Sequence, residues 1–357
     1  MRSLKQCLKD INNSTKIAIF CHTNPDADAL CSSVALKKLI KLNQPKDTKP
    51  KTIDLLVDAN IDDISEINKA IITGIEINNP HYKRYDLAIA VDCANLSRLG
   101  KYAELFKKTK NNIQIDHHAT NDNFAKNNIV LPRASSACEV LYTLAKIKNL
   151  NISDDICKMI YSGIITDTAN LTQGTITVNT HKIITEMMDR KINLNALNEH
   201  FFKNNTKSKA FLLKQALDSL TFYAGDRIAF MKLTKQDLAE CDATMDDTLG
   251  IVNHGIEIKG VEIAVIAIKQ EDNSYYVSLR SKQEINVGNV AQELGGGGHD
   301  QVAAFTYSGS LTDMKDSLIK SCKKELAKHT DYMDEPLFEG DEIADTQQNN
   351  QSNSNQN

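Results

Sequence analysis

The chain has 357 residues, of which 41% are apolar, enough for two domains with packed cores. A formal net charge of −4 argues against a large non-specific nucleic-acid surface but leaves room for a small nucleotide held by a few local charges. No stretch approaches the roughly 20 apolar residues that span a bilayer, and Met1-Arg2-Ser3-Leu4-Lys5 lacks the apolar centre of a signal peptide. A cytoplasmic protein is expected, and the eight Cys, with no C-x-x-C pair and several inside apolar runs, fit buried reduced thiols.

In chain order, the apolar, β-branched run 16–21 reads as a buried strand. His22-Thr23-Asn24-Pro25-Asp26-Ala27-Asp28 follows directly, and 29–42 has the apolar spacing of a helix. Asp28 could cap that helix, with His22 and Asp26 as surface polars; yet a cap needs one carboxylate, not two and an imidazole. The polar, Pro-containing stretch 43–51 is a loop, 52–57 a strand and 62–70 a helix. Strands at 86–91 and 113–115 bracket a helix at 98–108 with Leu99, Tyr102, Ala103 and Phe106 on one stripe. A helix at 135–148 carries Ser136 and Glu139 in capping-box spacing. A more apolar helix at 154–166 leads to Asp167. Strands alternating with helices predict a mostly parallel, doubly covered sheet in an N-terminal domain over 1–205.

Short helices are expected at 180–189 and 194–202, then a longer one at 207–222 inside a connecting segment 206–225. A smaller α/β domain at 226–333 follows, with strands at 228–233, 261–269 and 275–279 and helices at 248–254, 287–294 and 311–329. The tail 334–357 is acidic, then almost only Gln, Asn and Ser, and is expected to be disordered.

Four segment ends share a feature. The first strand runs into His22, Asp26 and Asp28; 87–91 ends on Asp92; 113–115 ends on Asp116-His117-His118; the helix at 154–166 ends on Asp167. Singly, a strand-end Asp is an ordinary turn former. In a parallel sheet, however, these ends converge along one edge, where open α/β sheets place ligands.

These motifs, His22-x-x-x-Asp26-x-Asp28, Asp92, Asp116-His117-His118 and Asp167-Thr168, resemble the DHH phosphoesterase family. His and carboxylate donors without thiolate suit Mn²⁺, with Mg²⁺, Co²⁺ and Zn²⁺ as weaker candidates. Six ligands fit two divalent ions about 3.5–4 Å apart sharing a carboxylate. The resemblance implies that His22 and Asp26 hold one ion, that Asp28, His117 and Asp167 hold the other, and that Asp92 bridges. It implies catalytic roles for Asp92, Asp116 and His118: Asp116 orients an imidazole and His118 faces the substrate phosphate. A purely structural role for Asp116 and His118 stays open.

The second domain carries Ser278-Leu279-Arg280-Ser281-Lys282, then Gly295-Gly296-Gly297-Gly298-His299 and Ala303-Ala304. This resembles the DHH-associated C-terminal domain of the RecJ-like branch. A Gly run permits close ligand approach and an anion-binding nest, and Arg280 offers a fork to phosphate; the bland alternative is a flexible loop. Asn24, His118, Arg280, Ser281, Gly296, Gly297, Gly298 and His299 are then the implied substrate-binding residues, in a cleft between the domains. The family pattern has Gly where Cys31, Ala169 and Phe305 stand, and often a basic residue at Asp300. These departures touch packing and specificity and remove no proposed ligand.

Length and layout resemble the stand-alone nanoRNase and pAp phosphatase group, which acts on very short RNAs and on 3′-phosphoadenosine 5′-phosphate (pAp). A cyclic-di-AMP or linear-dinucleotide phosphodiesterase is the alternative; a single-strand exonuclease or a catalytically silent nucleotide sensor ranks lower. No long nucleic acid and no membrane is expected as a partner, and a homodimer stays open. The segment 346–357 has no large apolar residue whose burial would offset ordering entropy. Deleting it is expected to leave turnover unchanged in a steady-state assay, and a several-fold drop would assign it a role.

Overall fold

The computed structural model describes residues 2–60, 64–270, 274–282, 285–298 and 300–329, with side chains from Leu4 onward. The chain divides into two units, Met1–Lys207 and Ser208–Asn357. The first contains α1 (Arg2–Asn13), β1 (Lys16–Phe20), α2 (Ala27–Leu42), β2 (Thr52–Leu56), α3 (Glu66–Ile72) and β3 (Leu87–Val91). A 3₁₀ segment, Leu96–Tyr102, leads into α4 (Ala103–Lys108), β4 (Asn111–Asp116), β5 (Asn127–Val130), α5 (Ala137–Ile147), α6 (Asp154–Asp167), α7 (Val178–Asp189) and α8 (Leu194–Phe202).

The five strands form one sheet in the order β2-β1-β3-β4-β5, each neighbouring pair parallel. Side chains alternate across it, which explains the near-continuous apolar strand sequences. Ile17, Ile19, Ile53, Leu55, Leu87, Ile89 and Ile113 bury one face, in a cluster shared with residues of α2, α5 and α6. Ala18, Phe20, Leu56, Ala88 and Ala90 bury the other with Leu99 and Phe106. In this order the connections leave β1 and β3 in opposite directions. The carboxyl ends of β1 and β3 therefore flank the crevice where such sheets bind ligands.

Several elements differ from the sequence reading. The segment predicted as one helix over 98–108 breaks at Gly100, whose φ of 56° no helix accommodates. Asp58 occupies the space a side chain would need there: a Cβ on Gly100 would lie 2.1 Å from Asp58 Oδ2. The helix expected at 62–70 is α3, capped by Ser65; residues 61–63 lie outside the described ones. β5, which begins Asn127-Asn128, carried too little apolar signal to be predicted, whereas α1, with Leu4, Cys7, Leu8 and Ile11 at helical spacing, is an element the sequence reading missed. Lys51 stabilises the end of α1: its buried ammonium donates to the carbonyls of Ile11 (2.8 Å), Asn12 (3.0 Å) and Ser14 (2.6 Å).

The second unit contains α9 (Lys207–Asp218), β6 (Thr221–Tyr223), β7 (Ile228–Leu233), α10 (Lys235–Glu240), a 3₁₀ turn at Met245–Thr248, α11 (Ile251–Ile256) and β8 (Ile263–Lys269). Then come β9 (Ser274–Ser281), α12 (Val287–Glu293), β10 (Gly297–Gly298), β11 (Val302–Ser308) and α13 (Leu311–Leu326). Its mixed sheet runs β10-β11-β9-β8-β7-β6, with only β7 and β8 parallel. The helix predicted over 207–222 ends at Asp218, and Thr221–Tyr223 pairs with β7 instead. Leu212 and Ala216 of α9 are buried with Ala229, Met231, Ala264 and Ile266, so this helix packs on the sheet. The opposite face buries Phe230, Val265, Val277, Leu279 and Phe305 with Val290 of α12 and Leu318 of α13.

Part of the Gly run is the edge strand β10, paired with Ala303 and Ala304 of β11. A Cβ on Gly296 would stand 2.2 Å from Ala304 O and 2.4 Å from Phe305 Cβ, whereas a Cβ on Gly297 would meet nothing within 4 Å. Gly296→Ala should cost about 1–3 kcal/mol through overpacking and lower the melting temperature by several degrees. Gly297→Ala should melt within about a degree of the parent.

Candidate active site

The chain leaves β1 as Cys21-His22-Thr23. His22 is 4% exposed, and its Nδ1 donates to the Thr23 carbonyl at 2.7 Å. That bond fixes the tautomer and leaves Nε2, with its lone pair, on the site side. Asn24 then takes φ +52°, a left-handed turn that Asn tolerates. Asp26 is the N-cap of α2, its Oδ1 accepting from Ala29 N at 2.9 Å. Its Oδ2 lies 3.8 Å from His22 Nε2.

Asp28 therefore does not cap its own helix, as the simpler reading of the sequence had it. It is 1% exposed and reaches α5, accepting from Ala137 N (2.7 Å) and Cys138 N (3.1 Å). Two helix-start N–H groups thus partly offset a buried carboxylate. The Glu139 of the expected capping box bonds Ser135 N (3.2 Å) and Oγ (2.6 Å), while Ser136 Oγ accepts from Glu139 N.

Asp92 follows β3 with φ +52°, a sparsely populated conformation for a non-Gly residue, held by its N–H bond to Ile115 O at 3.0 Å. It is 2% exposed. Oδ2 lies 3.5 Å from His22 Nε2; Oδ1 lies 3.5 Å from His117 Nε2 and 3.7 Å from His118 Nδ1. Oδ1 accepts no hydrogen bond of ordinary geometry, which is exceptional for a buried carboxylate. β4 delivers Asp116, His117 and His118. Asp116, fully buried, accepts from His118 Nδ1 at 2.8 Å, from His118 N at 3.3 Å and from the Asn121 amide. The imidazole that Asp116 orients is thus that of His118. Asp167, the last residue of α6, places Oδ2 3.4 Å from His117 Nε2.

Within the described residues, three groups could each hold a metal ion: His22 with Asp26 and Asp92; Asp28 with His117 and Asp167; and Asp92 with Asp116, His117 and His118. Asp92 links the first group to His117 through its two oxygens. The charges fit a cation. Burial lifts the Asp28 carboxyl to about 7, and Asp92 adds to the push. Burial also drives Asp167 well above the usual carboxylate range, against the pull of His117. Burial would lower His22 and His117, yet neighbouring carboxylates raise each to about 10. Without an ion, the imidazoles must hold protons to offset the carboxylates. A divalent cation would release those protons and take the same lone pairs. The orphaned Asp92 Oδ1 and the donor set both fit such an ion. Burial lifts the Cys93 thiol to about 12, so it offers no thiolate.

In the second unit, Arg280 of β9 lies opposite Val302 of β11 and Ala264 of β8. Its Nη1 donates to Leu279 O at 2.8 Å and Ser278 Oγ at 3.3 Å, and it has no carboxylate partner among the described residues. Burial pulls its pKa down. Ser281 Oγ donates to Ile285 O at 2.5 Å and to Asp300 O at 3.4 Å. His299 lies outside the described residues. Sequence reasoning did not find Thr23, Asn121 or Gly163, which hold the His22 tautomer, brace Asp116 and make room for Asp28. A Gly within an apolar helix was the available signal for the last.

Fold and donor set define a two-unit α/β protein whose first unit carries a His/Asp cluster suited to a metal ion. Residues 16–164 match the DHH family, N-terminal domain, and residues 226–328 match the DHHA1 domain. The chain carries both domains and belongs to the DHH family. It is 29% identical over 326 residues to the probable bifunctional oligoribonuclease and PAP phosphatase NrnA of Streptococcus mutans, covering 88% of this chain and 97% of that protein. It is 26% identical to the bifunctional oligoribonuclease and PAP phosphatase NrnA of Thermus thermophilus, over 92% of this chain and 95% of that one. The solved structure of an exopolyphosphatase-related protein from Bacteroides fragilis shares the fold, with a TM-score of 0.82 at 22% identity over 90% of this chain and 96% of that chain.

A Cβ on Gly163 would lie 2.3 Å from Asp28 Oδ1 and 2.4 Å from Cys138 Sγ. Gly163→Ala should displace Asp28, cost about 1–3 kcal/mol, and shrink any rise in melting temperature that a divalent ion gives the parent protein. Calorimetric scans with and without Mn²⁺ read both effects.

Proposed function

We propose that the protein is a divalent-metal-dependent phosphoesterase that degrades very short oligoribonucleotides and dephosphorylates pAp, the two activities in the names of its S. mutans and T. thermophilus relatives. The observation that carries this reading is the pair of ligand groups on either side of Asp92. In this reading His22, Asp26 and Asp92 hold one Mn²⁺, and Asp28, His117, Asp167 and the shared Asp92 hold the second. Two such ions supply Lewis acidity and a water of lowered pKa.

The protein's own groups do the rest. Thr23 O keeps the His22 lone pair turned inward. Asp116 holds the His118 ring so that it faces the phosphate and offsets charge building on its oxygens. Asn24 lines the same edge. In the DHHA1 domain, Arg280 takes a second phosphate or the nucleotide backbone, the open Gly297 lets the chain approach it closely, and His299 is a further contact. A chain of net charge −4 with no basic stripe to track a strand supports a substrate of a few nucleotides. Eight free thiols, all buried, suit a reducing compartment, and we place the activity in the cytoplasm.

The test is a side-by-side assay with Mn²⁺ on pAp, an RNA length series and cyclic-di-AMP. Turnover should be highest on pAp and on RNAs of two to four nucleotides, and chelation should abolish it. Asp92→Ala should lose metal and activity together. His118→Ala should keep its metal and lose roughly one to two decades in kcat/KM. Full activity after exhaustive metal removal would overturn the proposal, as would a rate that climbs with RNA length.

A further inference from the structure

The loop after Asp92 carries a cation that neither the ligand groups nor the DHHA1 residues explain. Asn95 caps the 3₁₀ segment Leu96–Tyr102, its Oδ1 accepting from Arg98 N at 3.2 Å. Arg98 O accepts from Thr23 N at 2.8 Å, and Thr23 O accepts from His22 Nδ1 at 2.7 Å. The Arg98 backbone is therefore tied through one residue to an imidazole of the metal-suited cluster. The far side of the loop is pinned as well. Asp58 accepts from Lys101 N at 2.9 Å, pairs with Lys101 Nζ at 3.2 Å and fills the space beside Gly100.

The Arg98 side chain is left poised by this bracing. It is half-buried, yet among the described residues its guanidinium makes no hydrogen bond and no ion pair, although the neighbouring cluster is rich in Asp. Its charge is felt at Cys93, the residue after Asp92, where it opposes the burial that lifts the thiol. A solvated Arg on a mobile surface loop would need none of the three backbone ties. A structural Arg would have taken one of the carboxylates.

We propose that Arg98 is a substrate-binding residue that donates to a non-bridging phosphate oxygen of the nucleotide held at the His22–Asp92 site. The inference rests on the phosphoesterase reading above and adds a residue to it. A guanidinium presents two parallel N–H groups to phosphate, which a Lys ammonium cannot reproduce.

The test uses the full chain loaded with Mn²⁺, as parent, Arg98→Ala and Arg98→Lys. Kinetics on pAp and a diribonucleotide are measured beside metal content, melting temperature and pAp binding by titration calorimetry. Arg98→Ala should lose about 10- to 100-fold in kcat/KM, chiefly through KM, and weaken pAp binding by a similar factor. Metal content and melting temperature should hold, and Arg98→Lys should recover part of the loss. Unchanged kcat/KM and pAp binding in Arg98→Ala would overturn the inference. So would a loss of bound Mn²⁺ that accounts for the whole effect, or an Arg98→Lys variant no better than Arg98→Ala. A parent protein that binds pAp without turning it over would overturn the phosphoesterase reading instead, and the binding arm would still judge Arg98.

Discussion

Buried negative charge governs the first unit. Asp28, Asp92 and Asp116 sit almost wholly out of water at the carboxyl edge of one sheet. Isolated carboxylates in such a place would protonate or unfold the site. Each has a different remedy. Asp116 is met by the His118 ring and backbone and by Asn121. Asp28 lies against the exposed N–H groups that begin α5. Asp92 has imidazole nitrogens no nearer than 3.5 Å, from His22 and His117, and an oxygen without a hydrogen bond. The arrangement is satisfied least where an ion would sit, a common mark of a functional rather than a structural cluster.

The sheet order makes this crowding possible. Connections leave β1 and β3 in opposite directions, which opens a crevice at their carboxyl ends. The helices that cover the faces supply the remaining groups from the side, Asp28 from the start of α2 and Asp167 from the end of α6. Backbone conformation completes the aim: Asp92 and Asn24 both adopt positive φ, turning the chain sharply where a regular strand would have carried the side chains past one another. Ala169, Asn170 and Leu171, immediately after the Asp167-Thr168 pair, do the same. The φ of +45° at Ala169 explains why Gly suits that position in the family pattern: without a Cβ the conformation carries no strain.

Much of this was legible from residue order. Apolar runs ending in Asp or His marked the strand ends, and parallel pairing brought those ends together. What the sequence could not convey was which neighbour each carboxylate meets. Asp26 and Asp28 lie two residues apart in one turn, and either could cap α2; only tertiary packing sends Asp28 to α5. Helix signals failed where local chemistry overrode periodicity, as at Gly100, and where a polar start hid a strand, as at Asn127-Asn128. The Gly run was read for ligand approach, whereas Gly296 is packed against Ala304 and Phe305 by its sheet neighbours, a demand that depends on a strand pairing invisible in the run itself.

The spread of the donors along the chain sets when the centre can exist. His22 and Asp167 are separated by more than half the length of the first unit, and the groups between them hang from different elements. Small metal domains draw close-spaced ligands around an ion early and fold upon it. Here His22, Asp26 and Asp92 meet once β3 pairs with β1, whereas Asp28, His117 and Asp167 meet only once α6 is in place, and parallel pairing makes each closure a long-range event. The first group is therefore complete with residue 92, while the second waits on residue 167.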